Sequence, residues 1–233
     1  MAFMGGSSLM PSKAVKAIET NDSSLPEIDL TKSSSFQMNP IKYAGSIANA
    51  MRKNTSVKKL ILSGCAISTQ NALEFAEMLK ENKTLTHLDL SSNKIGTDGV
   101  EALCAALKDN DTLVEINLLG NSGRIGEQAL TALCDSLETN VSLKNVIWRL
   151  DSRQAWKITK MLSRNKEIER RLSQGKSVED IHPKYRAQFD ADAAAKESAA
   201  AKEKYAAEKE AAEKKAAAEK AAAEKAAAEK KAA

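Results

Sequence analysis

The fold of this chain is decided by the stretch LTHLDLSSN, residues 85–93. Four other stretches share its arrangement of apolar positions: LPEIDLTKS (25–33), VKKLILSGC (57–65), LVEINLLGN (113–121) and LKNVIWRLD (143–151). Their first residues are 28 to 32 positions apart along the chain. The sequence therefore contains one unit that is repeated five times.

The shared pattern, L-x-x-L-x-L-x-x-N/C, is that of a leucine-rich repeat, in which each unit supplies one short strand and one helix. In the copy quoted first, Leu88 and Leu90 face inward. His87 and Asp89 face the other side, because side chains alternate along a strand. Asn93 closes the copy as a buried turn residue, whose side-chain amide can bond backbone groups that the turn leaves open.

The segments between strands carry apolar residues three and four positions apart, as at Val100, Leu103 and Leu107, and this spacing predicts helices. A single repeat cannot bury its apolar side, so the copies stack into a curved slab with parallel strands. We therefore predict an α/β fold, a leucine-rich repeat solenoid of about five strand–helix repeats with terminal caps. A short helix at residues 12–21 forms the expected front cap, and a long charged, alanine-rich helix follows the repeats.

The composition predicts four parts: a disordered N-terminus (1–11), the repeat domain (12–172), a linker (173–189) and a single Lys/Glu/Ala-rich helix (190–233). Half of the residues in the last part are alanine, and alanine and long charged side chains are the strongest helix formers. Its five-residue AAAEK period leaves no apolar stripe, which argues against a coiled coil. A natural low-complexity tail and an engineered helical spacer both fit this composition.

Charge and cysteine content restrict the functional class. The formal net charge is +4, and no basic stripe is interleaved with aromatic residues, so nucleic-acid binding is not expected. We find no signal peptide and no run of about 18 apolar residues that would span a membrane. Cys104 and Cys134 each follow a core leucine at matching repeat positions, which indicates buried thiols and not a disulfide framework. These features predict a cytoplasmic protein.

No group of residues has the spacing of a catalytic or metal site. His87, Asp89 and Ser91 lie on one strand, but alternate strand residues are about 7 Å apart, too far for a nucleophile–base hydrogen bond. His182, the other histidine, falls in the linker and is predicted to be solvated. Two histidines and three scattered cysteines do not have metal-ligand spacing. We therefore expect no enzymatic activity, no metal and no cofactor.

Five asparagines begin the glycosylation sequon N-x-S/T: Asn21, Asn54, Asn82, Asn110 and Asn140. Each lies just before a predicted strand, where helices end and the chain turns. Asparagine is common at both kinds of position because its side chain bonds nearby backbone groups and tolerates left-handed conformations. We interpret all five as structural residues of the repeat.

The outward strand positions form two columns that run across the repeats, one residue from each strand. The first contains Glu27, Lys59, His87, Glu115 and Asn145, and the second contains Asp29, Ile61, Asp89, Asn117 and Ile147. These ten residues, which we call the concave face, mix both charge signs with apolar side chains. Such a mixture suits a protein partner better than a phosphate backbone or a small ligand. We predict that the concave face is the partner-binding site.

Several segments resemble the C-terminal repeat domain of the tropomodulin and leiomodin family. They include Met-Asn-Pro-Ile (38–41), ALEFAEMLKENKTLTHLDLSSNKIGTDGV (72–100) and LKDNDTLVEINLLGNSGRIGEQALTALCDSLETNVSL (107–143). The basic finish NKEIERRL (165–172) is similar too, as are the order and lengths of the repeats. The resemblance extends over about residues 12–172.

Members of that family cap the pointed ends of actin filaments, and the repeat domain is one of their actin-binding parts. The resemblance implies a non-enzymatic, tropomodulin-like module of the cytoskeleton that binds actin or filament ends through its repeats. The family's tropomyosin-binding region has no counterpart in this sequence, and the Lys/Glu/Ala tail is not a family feature. These two departures leave open an alternative, a structural adaptor of a larger assembly such as the axoneme of a cilium or flagellum.

Overall fold

The computed structural model describes residues 9–122, 126–149 and 155–185. The strands are β1 (Glu27–Asp29), β2 (Lys59–Ile61), β3 (His87–Asp89), β4 (Glu115–Asn117) and β5 (Asn145–Ile147). The helices are α1 (Pro11–Glu19), α2 (Ser34–Gln37), α3 (Pro40–Arg52), α4 (Thr69–Glu81), α5 (Thr97–Ala106), α6 (Glu127–Thr139) and α7 (Ala155–Ser173). The predicted N-terminal disorder, apart from residues 9–11, and the predicted helix 190–233 lie outside the described residues.

The five strands form one parallel sheet in the order β1-β2-β3-β4-β5. Equivalent residues of successive repeats lie opposite each other, so that Leu60 pairs with Leu88 and Leu88 with Ile116. Helices α3 to α6 lie between strands and pack side by side, with α1 against α3 and α7 against α6 at the two ends. The predicted α/β solenoid of leucine-rich repeats is confirmed.

Turn residues at the ends of the strands connect neighbouring repeats, as predicted for Asn93. Its Oδ1 accepts from the backbone N–H groups of Cys65 (2.9 Å) and Ile67 (3.0 Å). Its Nδ2 donates to the carbonyl oxygens of Leu62 (2.9 Å) and Leu90 (3.0 Å). One side chain thus satisfies buried backbone groups of two repeats, which explains why the motif favours asparagine at this position.

Four of the five sequon asparagines form a second connection, which we call the asparagine ladder: Asn54, Asn82, Asn110 and Asn140. All four are buried, and the Nδ2 of each donates to backbone carbonyl oxygens of the preceding repeat or cap. Their Oδ1 atoms accept from the N–H groups two and three residues ahead. The structural interpretation of these sequons agrees with the contacts.

Asn21 differs from the ladder because it is exposed and adopts a left-handed conformation, with φ of 52°. Its Oδ1 nevertheless accepts the N–H of Thr55 at 2.7 Å. Asn21 therefore also joins the front cap to the first repeat, from the surface.

The last helix covers the open end of the repeats. Helix α7 buries Ile158, Leu162 and Ile168 and continues the ladder through Asn165, whose Nδ2 donates to the carbonyl oxygens of Asn140 (3.0 Å) and Leu143 (2.7 Å). This helix is therefore the C-terminal cap.

The chain separates into two units between Lys176 and Ser177, and of the second unit the structure describes residues 177–185. In this segment the prediction for His182 was wrong, because the residue is only 7 % exposed. Its Nδ1 also accepts the N–H of Lys184 at 3.1 Å. Within the described ranges, no helix is both long and apolar enough to pass through a lipid bilayer.

Candidate protein-binding face

The parallel register brings all ten residues of the concave face together. Glu27, Lys59, His87, Glu115 and Asn145 pair in succession across the sheet, as do Asp29, Ile61, Asp89, Asn117 and Ile147. All ten are exposed or half-buried, because the inward positions of the same strands are taken by aliphatic residues. The predicted residues therefore form one continuous surface.

Cross-strand pairs order the first column. Lys59 Nζ lies 2.9 Å from Glu27 Oε1, and Asn145 Nδ2 donates to Glu115 Oε2 at 2.8 Å. The hydrogen bond that Lys59 donates to Glu27 raises the pKa of Lys59, and the charges of Glu27, Asp29 and Glu115 add to the rise. The ammonium group of Lys59 is thus held among carboxylates.

The second column has a structural role that sequence reasoning missed. The Oδ1 atoms of Asp29, Asp89 and Asn117 accept the backbone N–H two residues ahead, at 2.8, 2.8 and 3.1 Å. These Asx turns hold the strand ends. In addition, Asn117 Nδ2 donates to Asp89 Oδ2 at 2.9 Å. An Asp or Asn at the same position of three repeats was the signal that could have predicted the turns.

The contacts of His87, Asp89 and Ser91 are those of ordinary surface residues and not of a catalytic triad. His87 Nδ1 is 2.9 Å from Thr86 Oγ1, whereas Ser91 Oγ donates to Ser63 Oγ at 2.9 Å. Both oxygens of Asp89 are already engaged, by Ser91 N–H and by Asn117. Among the described residues, no group of His, Cys, Asp and Glu side chains could hold a metal ion.

The cysteines are also unsuited to chemistry. Cys65, Cys104 and Cys134 are all buried, and none is in a disulfide, as predicted. Burial raises the pKa of Cys65 to about 11 and raises that of Cys104 further from its ordinary value. These thiols stay protonated at neutral pH, and a protonated thiol is a poor nucleophile.

The concave face is therefore an acidic surface that is interrupted by apolar side chains. It carries four carboxylates against one ammonium group, within a chain whose formal net charge is +4. Ile61 and Ile147 are half-buried, and Leu119, at the next outward position, is 46 % exposed. Because most of the polar side chains are already fixed by neighbours, a partner would lose little side-chain entropy by contacting them.

Exposed apolar side chains that sequence reasoning did not predict to be exposed lie near the starts of two helices. Met38 is 84 % exposed and Ile41 is 74 % exposed, on either side of the start of α3. Trp156, at the beginning of α7, is 68 % exposed. The repeat motif specifies strand positions better than helix ends, so no pattern in the sequence separated these residues from core positions.

Comparison with known proteins finds a family model and solved structures that are similar to the repeat domain. The family model for the TMOD/LMOD leucine-rich domain matches residues 9–168. A solved structure of leiomodin-1 actin-binding site 2 is similar, with a TM-score of 0.65 and 26 % sequence identity over 72 % of this chain and 96 % of that one. The tropomodulin C-terminal domain of Caenorhabditis elegans has the same TM-score at 20 % identity, over 72 % of this chain and 100 % of that one, and shows the fold alone. No curated protein sequence matches the chain.

Proposed function

We propose that this chain, which belongs to the TMOD/LMOD leucine-rich domain family, is a non-enzymatic protein-binding module of the cytoskeleton that binds actin through its repeats. The observation that carries the proposal is the similarity to leiomodin-1 actin-binding site 2, 96 % of which is matched by this chain. Since the matched structure is itself named for actin binding, the likeness concerns the binding part of that protein.

The concave face is the surface we propose for the contact. Its polar side chains are held in place by the Glu27–Lys59, Asp89–Asn117 and Glu115–Asn145 pairs, so the surface is ordered before a partner arrives. Ile61 on β2 and Ile147 on the edge strand β5 supply apolar area beside the pairs. An ordered polar surface that also carries apolar residues is suited to a protein interface.

The partner surface that fits this face combines basic groups with apolar ones. Four carboxylates against one ammonium group attract a positively charged surface and speed its approach at low salt. The same charge excess disfavours an acidic partner surface and a nucleic-acid backbone. The actin contact should therefore weaken with salt.

The cytoskeleton, within the cytoplasm, is the location that follows from this proposal. Nothing in the comparisons favours the axonemal adaptor or a location in the cilium. The capping of filament ends, as distinct from binding of actin subunits, is a finer expectation that follows only from the family resemblance.

Co-sedimentation with actin filaments and a binding titration with actin monomers test the proposal. The full-length chain should bind at least one of the two forms, and a double variant Ile61→Ser/Ile147→Ser should bind about tenfold more weakly, as expected when interface anchors are truncated. Thermal melts of each variant show whether folding is retained.

The matched control is Ile41→Ser, which makes the same change at an apolar residue on helix α3 that is 74 % exposed. Its actin affinity should equal that of the unmodified chain. Absence of binding to both filaments and monomers would rule out the proposed function. Weaker binding by Ile41→Ser, with full binding by the double variant, would keep the function and move the contact from the concave face to the helices.

A further inference from the structure

Helix α7 ends in the tetrapeptide Arg170-Arg171-Leu172-Ser173, which the actin-binding proposal does not use. A serine with arginines two and three residues before it has the charge pattern by which one class of protein kinases selects substrates, since acidic pockets of the kinase receive the arginines. The pattern is short, so its meaning depends on whether the folded chain presents it.

The structure presents Ser173 at an accessible, easily opened helix end. Ser173 is exposed, and its Oγ donates a hydrogen bond to the carbonyl oxygen of Arg170 at 2.9 Å. Leu172 is 50 % exposed, and residues 174–177 are exposed as well. The helix ends at Ser173, and Gly175, two residues further on, has a positive φ of 65°. Because the last turn buries little apolar surface, it can open at low cost into the extended form that a kinase requires.

The two arginines are held together by one carboxylate. Arg170 donates to Glu167 through Nε at 2.7 Å and Nη2 at 2.6 Å, and Arg171 donates to Glu167 through Nε at 3.0 Å. Hydrogen bonds from Arg170 and Arg171 lower the pKa of Glu167 to about 2. The guanidinium groups are therefore already gathered around a single anion, one turn before the serine.

We propose that Ser173 is a phosphorylation site for an arginine-directed serine/threonine kinase. In the reaction Ser173 Oγ attacks the γ-phosphorus of Mg-ATP, an O–P bond forms, and the bond from that phosphorus to the β–γ bridging oxygen breaks. ADP leaves, and the hydroxyl proton passes to the catalytic carboxylate of the kinase. The product carries about −1.5 to −2 charge at Ser173.

The added charge changes the end of α7. A phosphate at a helix C-terminus is repelled by the negative end of the helix dipole, so it favours opening of the last turn. Once the turn opens, the phosphate competes with the single negative charge of Glu167 for Arg170 and Arg171, and a phosphate forms the stronger charge-assisted bonds. Phosphorylation thus replaces the bonds that Glu167 forms with the two arginines at the C-terminal end of α7.

Thr55 provides a matched control within the same chain, because Arg52 precedes it by three residues. Its N–H and Oγ1 are held by Asn21 Oδ1, at 2.7 and 3.3 Å, and the neighbouring Asn54 is buried. A kinase could reach Thr55 in an extended form only by breaking the asparagine ladder. In the folded protein, Ser173 is therefore accessible to the kinase and Thr55 is not.

The test incubates the folded full-length chain with Mg-ATP and the catalytic subunit of cAMP-dependent protein kinase, which reads this arginine pattern. Mass spectrometry of the digested product should find phosphate on Ser173. Ser173→Ala should lose this incorporation, whereas Thr55→Ala should retain it. Ser173→Ala alters one exposed side chain, so its stability should be unchanged, and a thermal melt checks this.

Two further variants examine the geometry. Glu167→Gln removes the negative charge that both arginines bind and should raise kcat/KM several-fold, whereas Arg170→Ala should lower it by about tenfold or more, since a charge pair with the kinase is lost. The absence of phosphate on Ser173 in the unmodified chain would overturn the proposal. An unchanged rate in Arg170→Ala would overturn it as well. The proposal does not depend on actin binding, and neither result bears on that function.

Discussion

The asparagine ladder and the concave face are both rows of polar side chains with one member per repeat, yet they occupy opposite environments. The ladder residues Asn54, Asn82, Asn110 and Asn140 are 2, 1, 2 and 4 % exposed. The concave residues are half-buried or exposed, and their side chains bond both to one another and to backbone N–H groups just beyond the strands. The ladder therefore holds the repeats together, whereas the concave face is a surface available to a partner.

The difference shows that periodicity alone does not reveal the role of a repeated polar residue. What separates the two rows is their position relative to the strand. Each ladder asparagine lies three residues before the first buried apolar residue of the next repeat, as Asn110 precedes Leu113, and accepts its N–H. A concave residue lies on the strand itself, where alternation turns it outward.

Among the substitutions that test this difference, the largest loss of stability is expected in the asparagine ladder. Asn110→Ala removes bonds to the carbonyl oxygens of Leu79 and Asn82 and to the N–H groups of Thr112 and Leu113. Because three of these four backbone groups are buried and water does not replace the amide there, we expect the free energy of unfolding to fall by about 3 kcal/mol. Urea unfolding followed by circular dichroism measures the change.

Lys108→Ala is the control, since Lys108 is an exposed neighbour near the end of the same repeat. Its free energy of unfolding should lie within about 0.5 kcal/mol of the unmodified chain. If Asn110→Ala were as stable as this control, the ladder would be a consequence of the fold and not a support for it.

Much of the fold could be predicted because the repeat motif marks individual positions. Leu88 of β3 and Leu90 just after it fix the inward-facing positions, so the pairing of His87 with Lys59 and Glu115 follows once five copies are aligned. The burial of His182 could not be predicted in the same way. That histidine has no counterpart in the repeats, and no local pattern indicates the packing around an isolated residue.

The candidate site could be predicted as a set of positions but not as a set of contacts. Register alone brings Asp89 beside Asn117, yet their hydrogen bond also depends on side-chain rotamers. The Asx turns were within reach of the sequence, because an Asp or Asn two residues before a backbone turn is a known local motif. Whether the resulting surface binds a partner depends on that partner, and one chain does not encode it.

An intermediate loss of stability is expected for Asn117→Ala. Asn117 lies on the concave face, but its side chain also has a structural role. The variant loses the bond to Asp89 Oδ2 and the turn bond to Leu119 N–H. Both sites are partly reached by water, so the free energy of unfolding should fall by about 1 kcal/mol, less than in the ladder. Asn145→Ala loses the side-chain bond to Glu115 and should be affected less. If Asn117→Ala lowered the free energy of unfolding as much as Asn110→Ala, the proposed difference between the two rows would be wrong.

The smallest change in stability is expected when the ion pair of Lys59 and Glu27 is removed, because the two side chains are 44 and 50 % exposed. Lys59→Met should change stability little at neutral pH, because water and salt screen a pair of this kind. The pKa of Lys59 is raised in the folded state above its ordinary value of 10.5. The pair's contribution is therefore complete below that value and is lost as the pH rises through the folded pKa. Thermal melts from pH 7 upward should show the small advantage of the unmodified chain over Lys59→Met disappearing in the alkaline range. An advantage that grows with pH would mean that Lys59 is held by something other than its carboxylate neighbours.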